Sequence, residues 1–151
     1  EAIDDCSKAI ILDPYNAIAF CCRANAKYSL EDYQGAIDDF TKAIELDPKN
    51  SEAYASRANV KSVINDYQGA IDDCSKAIEL DPNNVTAWAI RGDAKYDLKD
   101  YQGAIDDYSE AIKLDPEDEE IRTNREEAKS SLKNSQGYFN WLFKSDSMES
   151  F

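Results

Sequence analysis

The sequence predicts an all-α fold, a solenoid of stacked antiparallel helix pairs. Three observations predict it. The phrase DYQGAIDDFTKAIELDP from Asp32 returns from Asp66 as DYQGAIDDCSKAIELDP and from Asp100 as DYQGAIDDYSEAIKLDP, in steps of 34 residues. The prolines Pro14, Pro48, Pro82 and Pro116 keep the same step. Within each period, residues three and four apart mark out two separate helical runs. One such pair cannot bury its own apolar stripe, so successive pairs must stack.

The elements follow in order. Residues 1–16 match only the second helix of a repeat, since Ala2-Ile3 aligns with Ala36-Ile37. The chain is therefore expected to be a fragment, with any signal peptide upstream of it. Three full repeats span 17–50, 51–84 and 85–118. In the middle one, a first helix is expected from after Asn50 to about Ile64, carrying Ala53, Tyr54, Arg57, Ala58 and Lys61. A second is expected from about Gln68 to Leu80, with Ala70, Ile71, Cys74, Ala77 and Ile78 as its stripe.

Capping residues mark where these helices begin. Asn16, Asn50, Asn84 and Asp118 stand where a side-chain oxygen would satisfy the first free N–H groups, and Asp66 does so for the second helix. Pro82 closes the unit, because the residue before a proline is pushed out of the α region. Ala24, Ala58 and Gly92, with Ala36, Ala70 and Ala104, leave room for close helix approach. Phe20, Tyr54 and Trp88, with Tyr33, Tyr67 and Tyr101, fill gaps.

Residues 119–133 keep a helical pattern through Ile121, Arg125, Ala128 and Leu132 and are polar elsewhere, as a capping helix should be. After Asn134 the register is lost. Residues 134–151 read as a turn, a short aromatic segment and a ragged end, with Tyr138–Leu142 and Phe139–Phe143 spaced as i,i+4 pairs. Folding of this tail back onto the capping helix is expected, with docking into a neighbour as the alternative.

Composition narrows the function. The chain carries 17 Lys and Arg against 31 Asp and Glu, a net charge of -14. Such a surface repels phosphate backbones and anionic headgroups, so neither nucleic acid nor membrane is an expected partner. The absence of histidine excludes Ser-His-Asp and Cys-His catalysis and every His-ligated metal site. Cys6, Cys21, Cys22 and Cys74 form no C-x-x-C pair, and adjacent Cys21 and Cys22 could not join without breaking a helix. They read as reduced thiols, consistent with a cytoplasmic location, and Cys6 and Cys74 read as core fillers. No base stands beside a nucleophile, so no catalytic residue and no cofactor is expected.

Two recurrent charge patterns have structural readings. Asp-Asp pairs at 4–5, 38–39, 72–73 and 106–107 lack the alternating oxygen ligands of a calcium loop, and no metal site is expected. Asp4, Asp38 and Asp72 stand four residues before Lys8, Lys42 and Lys76, which reads as surface ion pairs. Arg23, Arg57 and Arg91 are expected to bridge to an acidic residue of the preceding repeat, with their stems packed between helices.

The chain resembles the tetratricopeptide repeat family over residues 1 to about 118. Trp88, Gly92, Ala104, Tyr108 and Pro116 fall on its W…G…A-x-x-x-F/Y…P positions. Two departures stand out. Arg23, Arg57 and Arg91, then Lys27, Lys61 and Lys95, replace the usual first-helix Leu and Tyr, and the aromatic moves one place on, to Tyr28 and Tyr96. The resemblance implies a right-handed superhelical solenoid whose first helices line a concave binding face. That lining would include Cys21, Cys22, Asn25 and Tyr28, then Ser56, Asn59 and Ser62, then Ile90, Asp93 and Tyr96. It also implies a candidate activity, clamping the C-terminal carboxylate of heat-shock chaperones with basic side chains. Asn25 matches the clamp asparagine. Cys21, Thr86 and Ile90 stand at its basic positions, so the clamp is expected to be absent.

The function expected is a non-catalytic protein–protein interaction scaffold that binds a protein or peptide segment in its groove. The alternative is a self-assembling module that uses the helix ends and the aromatic tail.

Overall fold

The computed structural model describes the backbone of residues 2–146 and the side chains through Gly137. Among these residues the chain forms eight α-helices and no strand. They are α1 Ala2–Leu12, α2 Ala17–Ser29, α3 Tyr33–Leu46, α4 Ser51–Val63, α5 Tyr67–Leu80, α6 Val85–Asp97, α7 Tyr101–Leu114 and α8 Glu119–Asp146. α2 packs on α3, α4 on α5 and α6 on α7 as helix pairs, and each pair leans on the next. The first helices also touch along one side, α4 against α6 and α6 against α8.

The caps are those the sequence predicts. The side chains of Asn16, Asn50 and Asn84 accept from the N–H of Ala19, Ala53 and Ala87, and Asp118 accepts from Ile121. Asp32, Asp66 and Asp100 cap the second helices by accepting from Gly35, Gly69 and Gly103 at 3.0 Å. A Cβ on Gly69 would lie 2.2 Å from Asp66 Oδ2, so the capping carboxylate would have to rotate to admit a side chain there, as it does not at the alanines that follow the asparagine caps. Within each pair the turn passes through one residue at positive φ, Glu31, Asn65 or Lys99.

Small residues let the helices close. Ala24, Ala36, Ala58, Ala70 and Ala104 have no exposed surface, and Phe40 and Cys74 fill the space between them. Gly92 goes further, since a Cβ there would meet the Tyr108 ring at 2.6 Å. Cys6, at the same register position in α1, is only half-buried. α1 buries no residue fully, and Ile11 is 78% exposed.

The arginine ladder differs from expectation. Each arginine takes its acid from its own repeat, not from the preceding one. Arg23 Nε and Nη2 donate to Asp39 at 2.8 and 2.7 Å, and Arg91 does the same to Asp107 at 2.9 and 2.8 Å. Lys27, Lys61 and Lys95 complete each carboxylate's coordination at 2.7–2.8 Å. The preceding repeat contributes a hydroxyl instead: Nη1 of Arg23, Arg57 and Arg91 donates to Ser7, Thr41 and Ser75. The sixteen-residue offset from Arg to Asp spans the intra-pair turn, which brings the two together. Burial pushes the Asp39 carboxyl up, but the hydrogen bonds from Arg23 and Lys27 outweigh it and leave it below its ordinary value.

The surface pairs are also rearranged. Lys8 meets Asp5, Lys42 meets Glu45 and Lys76 meets Glu79, all at i,i+3 spacing. Asp38 and Asp72 accept instead from Gln34 and Gln68. The second aspartate of each full repeat, Asp39, Asp73 or Asp107, is the buried one.

The largest correction lies at the C-terminal end. No turn follows Asn134; α8 runs unbroken for 28 residues, so residues past 134 do not fold back on 119–133. Asn134 and Gly137 still keep the spacing of Asp100 and Gly103, one 34-residue step on. The register then fails. Tyr138 falls where Ala104 permits close approach, and Trp141 falls where Asp107 would hold the arginine. A fourth second helix has neither the small residue nor the acid it needs. The expected aromatic cluster of Tyr138, Phe139, Trp141, Leu142 and Phe143 lies outside the residues with described side chains.

Candidate functional site

First helices present one face to the same side because α2, α4, α6 and α8 neighbour one another through their successive pairs. Positions that avoid the partner helix on that face therefore line a common groove. A cavity of about 350 Å³ opens in its middle, bounded by Asn25 and Tyr28 from α2, Ser56 and Asn59 from α4, and Ile90 from α6. Phe40 and Val60 form its floor. Among the described residues neither the Asn25 nor the Asn59 side-chain amide is engaged in a hydrogen bond. Each can donate to and accept from a ligand backbone.

Cys21 lines an adjoining cavity of about 190 Å³ with Asn25 and Ser56. Burial raises its thiol pKa, so it is a weakly polar wall and not a nucleophile. Tyr28 is half-buried, its ring 5.9 Å from that of Tyr33, which fixes its orientation. A pre-positioned aromatic loses little entropy on contact.

The third repeat builds a different wall. Asp93, Tyr96, Asp97 and Tyr108 line a cleft of about 350 Å³ with Asn124 and Glu127 of α8. The Tyr108 hydroxyl donates to Asp93 at 2.7 Å, and Asn124 donates to the same oxygen at 3.3 Å. Desolvation in this cleft pushes the Asp93 carboxyl up, against the pull of those two hydrogen bonds, with Asp97 and Glu120 adding to the rise. Tyr96 and Ser131 join hydroxyls at 3.1 Å, tying the cleft to α8.

Two expected residues stand apart. Cys22 has the register of Ser56 and Ile90 but faces a separate cavity beside Cys6 and Ala9 of α1. Ser56 and Ile90 each have a first helix on their N-terminal side; among the described residues, Cys22 has none. Ser62 buries its hydroxyl without a hydrogen-bond partner and does not border the central cavity. The sequence reading left Glu52, Asn124 and Glu127 out of the lining and placed Thr86 in the groove only as a clamp position. Glu52 and Thr86 were legible as the second residues of their helices. Asn124 and Glu127 become visible only when α8 is treated as a first helix, one 34-residue step beyond Ile90 and Asp93. Among the described residues no group of three or more Cys, Asp or Glu side chains could hold a metal ion.

Residues 17–50 and 51–84 match the family model of the tetratricopeptide repeat, and residues 92–125 match a second TPR repeat model. No curated protein matches the chain. The second TPR domain of human RPAP3, solved in complex with the HSP70 peptide SGPTIEEVD, is 31% identical, with 75% of this chain and 94% of that one covered and a TM-score of 0.72. The first TPR domain of human RPAP3 is 25% identical over 82% and 98% of the two chains, with a TM-score of 0.79. The TPR2B domain of yeast Sti1, solved as a pHsp70 complex, is 27% identical over 76% and 96%, with a TM-score of 0.73.

Proposed function

The chain belongs to the tetratricopeptide repeat family, and on that basis we propose that it is a non-catalytic scaffold that binds a protein or peptide segment in the groove. The observation that carries this reading is the central cavity, where side chains from three successive first helices converge around two unengaged amides. Peptide complexes of the human and yeast relatives support the use of such a groove.

The ligand proposed here differs in charge from the peptide held by the human domain. SGPTIEEVD ends in acidic residues. In this chain Cys21, Thr86 and Ile90 offer such a tail no positive charge, while Glu52, Asp93, Asp97 and Glu127 would repel it. An extended or helical segment that is apolar with a basic flank fits better. Its apolar part would pack on Tyr28 and Ile90, and its cation would enter the cleft at Asp93.

Fluorescence anisotropy with two labelled peptides tests this. An apolar peptide with a lysine pair at one end should bind at least about tenfold tighter than SGPTIEEVD, and Tyr28→Ala should weaken it by about tenfold or more. Equal binding of both peptides, with no loss in Tyr28→Ala, would contradict the proposal.

A further inference from the structure

A second helix meets the first helix that follows it through side chains sixteen residues apart. Phe40 and Ser56 line one cavity, and Tyr108 and Asn124 line another. Ile90 packs on the cluster that holds Cys74. Where α1 meets α2, both positions carry a thiol. Cys6 and Cys22 face one cavity of about 330 Å³, with Ala9 and Ala19 beside them. The two thiols share a hydrogen bond. Burial raises the Cys6 thiol above its ordinary value, and the Cys22 thiol adds to the rise.

The same contact is built where a first helix stands on each side of it. The cavity of Phe40 and Ser56 has Ile18, Cys21 and Asn25 of α2 as its further wall. Ser56 is still partly exposed there, while Phe40 lies beneath at 1% exposure. The register therefore sets Cys22 at the groove surface and Cys6 below it, whatever helix flanks α1.

The other thiols do not compete for this contact. A bond from Cys21 to its neighbour Cys22 would break the helix. Cys21 also lines the adjoining cavity, with Asn25 and Ser56. Cys74 stands two repeat steps beyond Cys6 and has no exposed surface. A disulfide admits only a narrow geometry. Ala9 and Ala19 leave the two sulfurs room to turn into it.

We propose that Cys6 and Cys22 form a reversible dithiol–disulfide site that reacts with small disulfides of the glutathione class and locks α1 onto α2. The exposed Cys22 thiolate attacks one sulfur of the reagent, whose S–S bond breaks and releases one glutathione thiolate. The Cys6 thiolate then attacks Cys22 Sγ, and the second glutathione leaves as the bond between the helices forms. The protons of the two protein thiols end on the two departing glutathiones. The protein pair gives up two electrons, and the reagent disulfide gains them. Excess glutathione runs the same steps backwards.

Peptide mapping of the whole chain by mass spectrometry, after equilibration in glutathione buffers, tests this. Circular dichroism confirms that each variant is folded. The parent chain and Cys21→Ser should both yield a Cys6–Cys22 link, two hydrogens lighter than the dithiol. Cys6→Ser should stop at a glutathione adduct on Cys22. The equilibrium constant for the link should be at least about tenfold larger in the folded chain than in concentrated urea. A Cys22 adduct that never passes to Cys6 in the parent chain would overturn the proposal. So would a link from Cys6 to Cys21, or equal constants in buffer and in urea.

Discussion

Arg57 holds Asp73 through two hydrogen bonds, 2.8 Å from Nε and 2.6 Å from Nη2, while its third nitrogen donates to Thr41 of the preceding repeat at 2.9 Å. One side chain thereby joins its own helix pair and links that pair to its neighbour. Asp73 is 5% exposed, and Lys61 supplies a second cation at 2.8 Å. Desolvating such a group is costly, and removing one partner leaves the others buried without compensation.

Asp73→Asn should therefore lower unfolding free energy by roughly 3 kcal/mol. Asp72→Asn, one residue away on the exposed face, should change it by less than about 0.5 kcal/mol. Urea denaturation of the two variants checks the contrast, and equal effects would contradict the assigned role of Asp73.

Acid should weaken the ladder in a defined direction. The Asp39 carboxyl lies below its ordinary value in the folded chain. Its contribution is then complete above the unfolded-state value of about 4 and disappears as pH falls through the folded-state value. Melting temperatures followed downward from pH 7 should fall more steeply below about pH 4 in the parent chain than in Asp39→Asn. Identical slopes would remove Asp39 from the account.

Gly92→Ala should destabilise the third repeat by about 1–3 kcal/mol, because its new methyl group meets the Tyr108 ring. Ala58 tolerates Cys74 at the equivalent contact. Adding Tyr108→Cys should therefore recover part of the loss. A double variant as unstable as the sum of its singles would show that the contact is not the cause.

Burial pushes the Cys74 thiol up to about 12, whereas Cys22 is exposed. Iodoacetamide at pH 8 should label Cys22 in the folded chain and reach Cys74 only on unfolding. Mass spectrometry of timed samples resolves the order, and early modification of Cys74 would contradict its placement.

Most of the helical framework was legible because each cap and each close contact repeats with the same period. Asn50 and Asp66 announce helix starts by chemistry that acts within three residues, and Ala58 and Ala70 announce a close approach by size alone. The ladder was harder. The sequence marks Arg57 as unusual, but its acid partner depends on the angle between helices, which sequence spacing does not encode. At the end of the repeat array, loss of the repeat register after Asn134 reads as a turn, but register reports packing and not helicity: Tyr138 and Trp141 remove the packing a fourth second helix needs, and α8 runs on. In the groove, Asn25, Tyr28, Ser56, Asn59 and Ile90 were legible from register. Cys22 was not, because its role depends on a neighbour to its N-terminal side. Asn124 and Glu127 were hidden by treating α8 only as a cap.

The central claim is that the partner segment lies along the first helices, across the cavity between α2 and α6. Amide chemical-shift mapping by NMR, with the basic-flanked apolar peptide added in steps, tests it most directly. The account predicts that the largest shifts fall on Asn25, Tyr28, Asn59 and Ile90 and extend to Asp93, while the exposed faces of α3, α5 and α7 stay unchanged. Shifts concentrated on α3 and α5, with the amides of Asn25 and Asn59 unmoved, would contradict it.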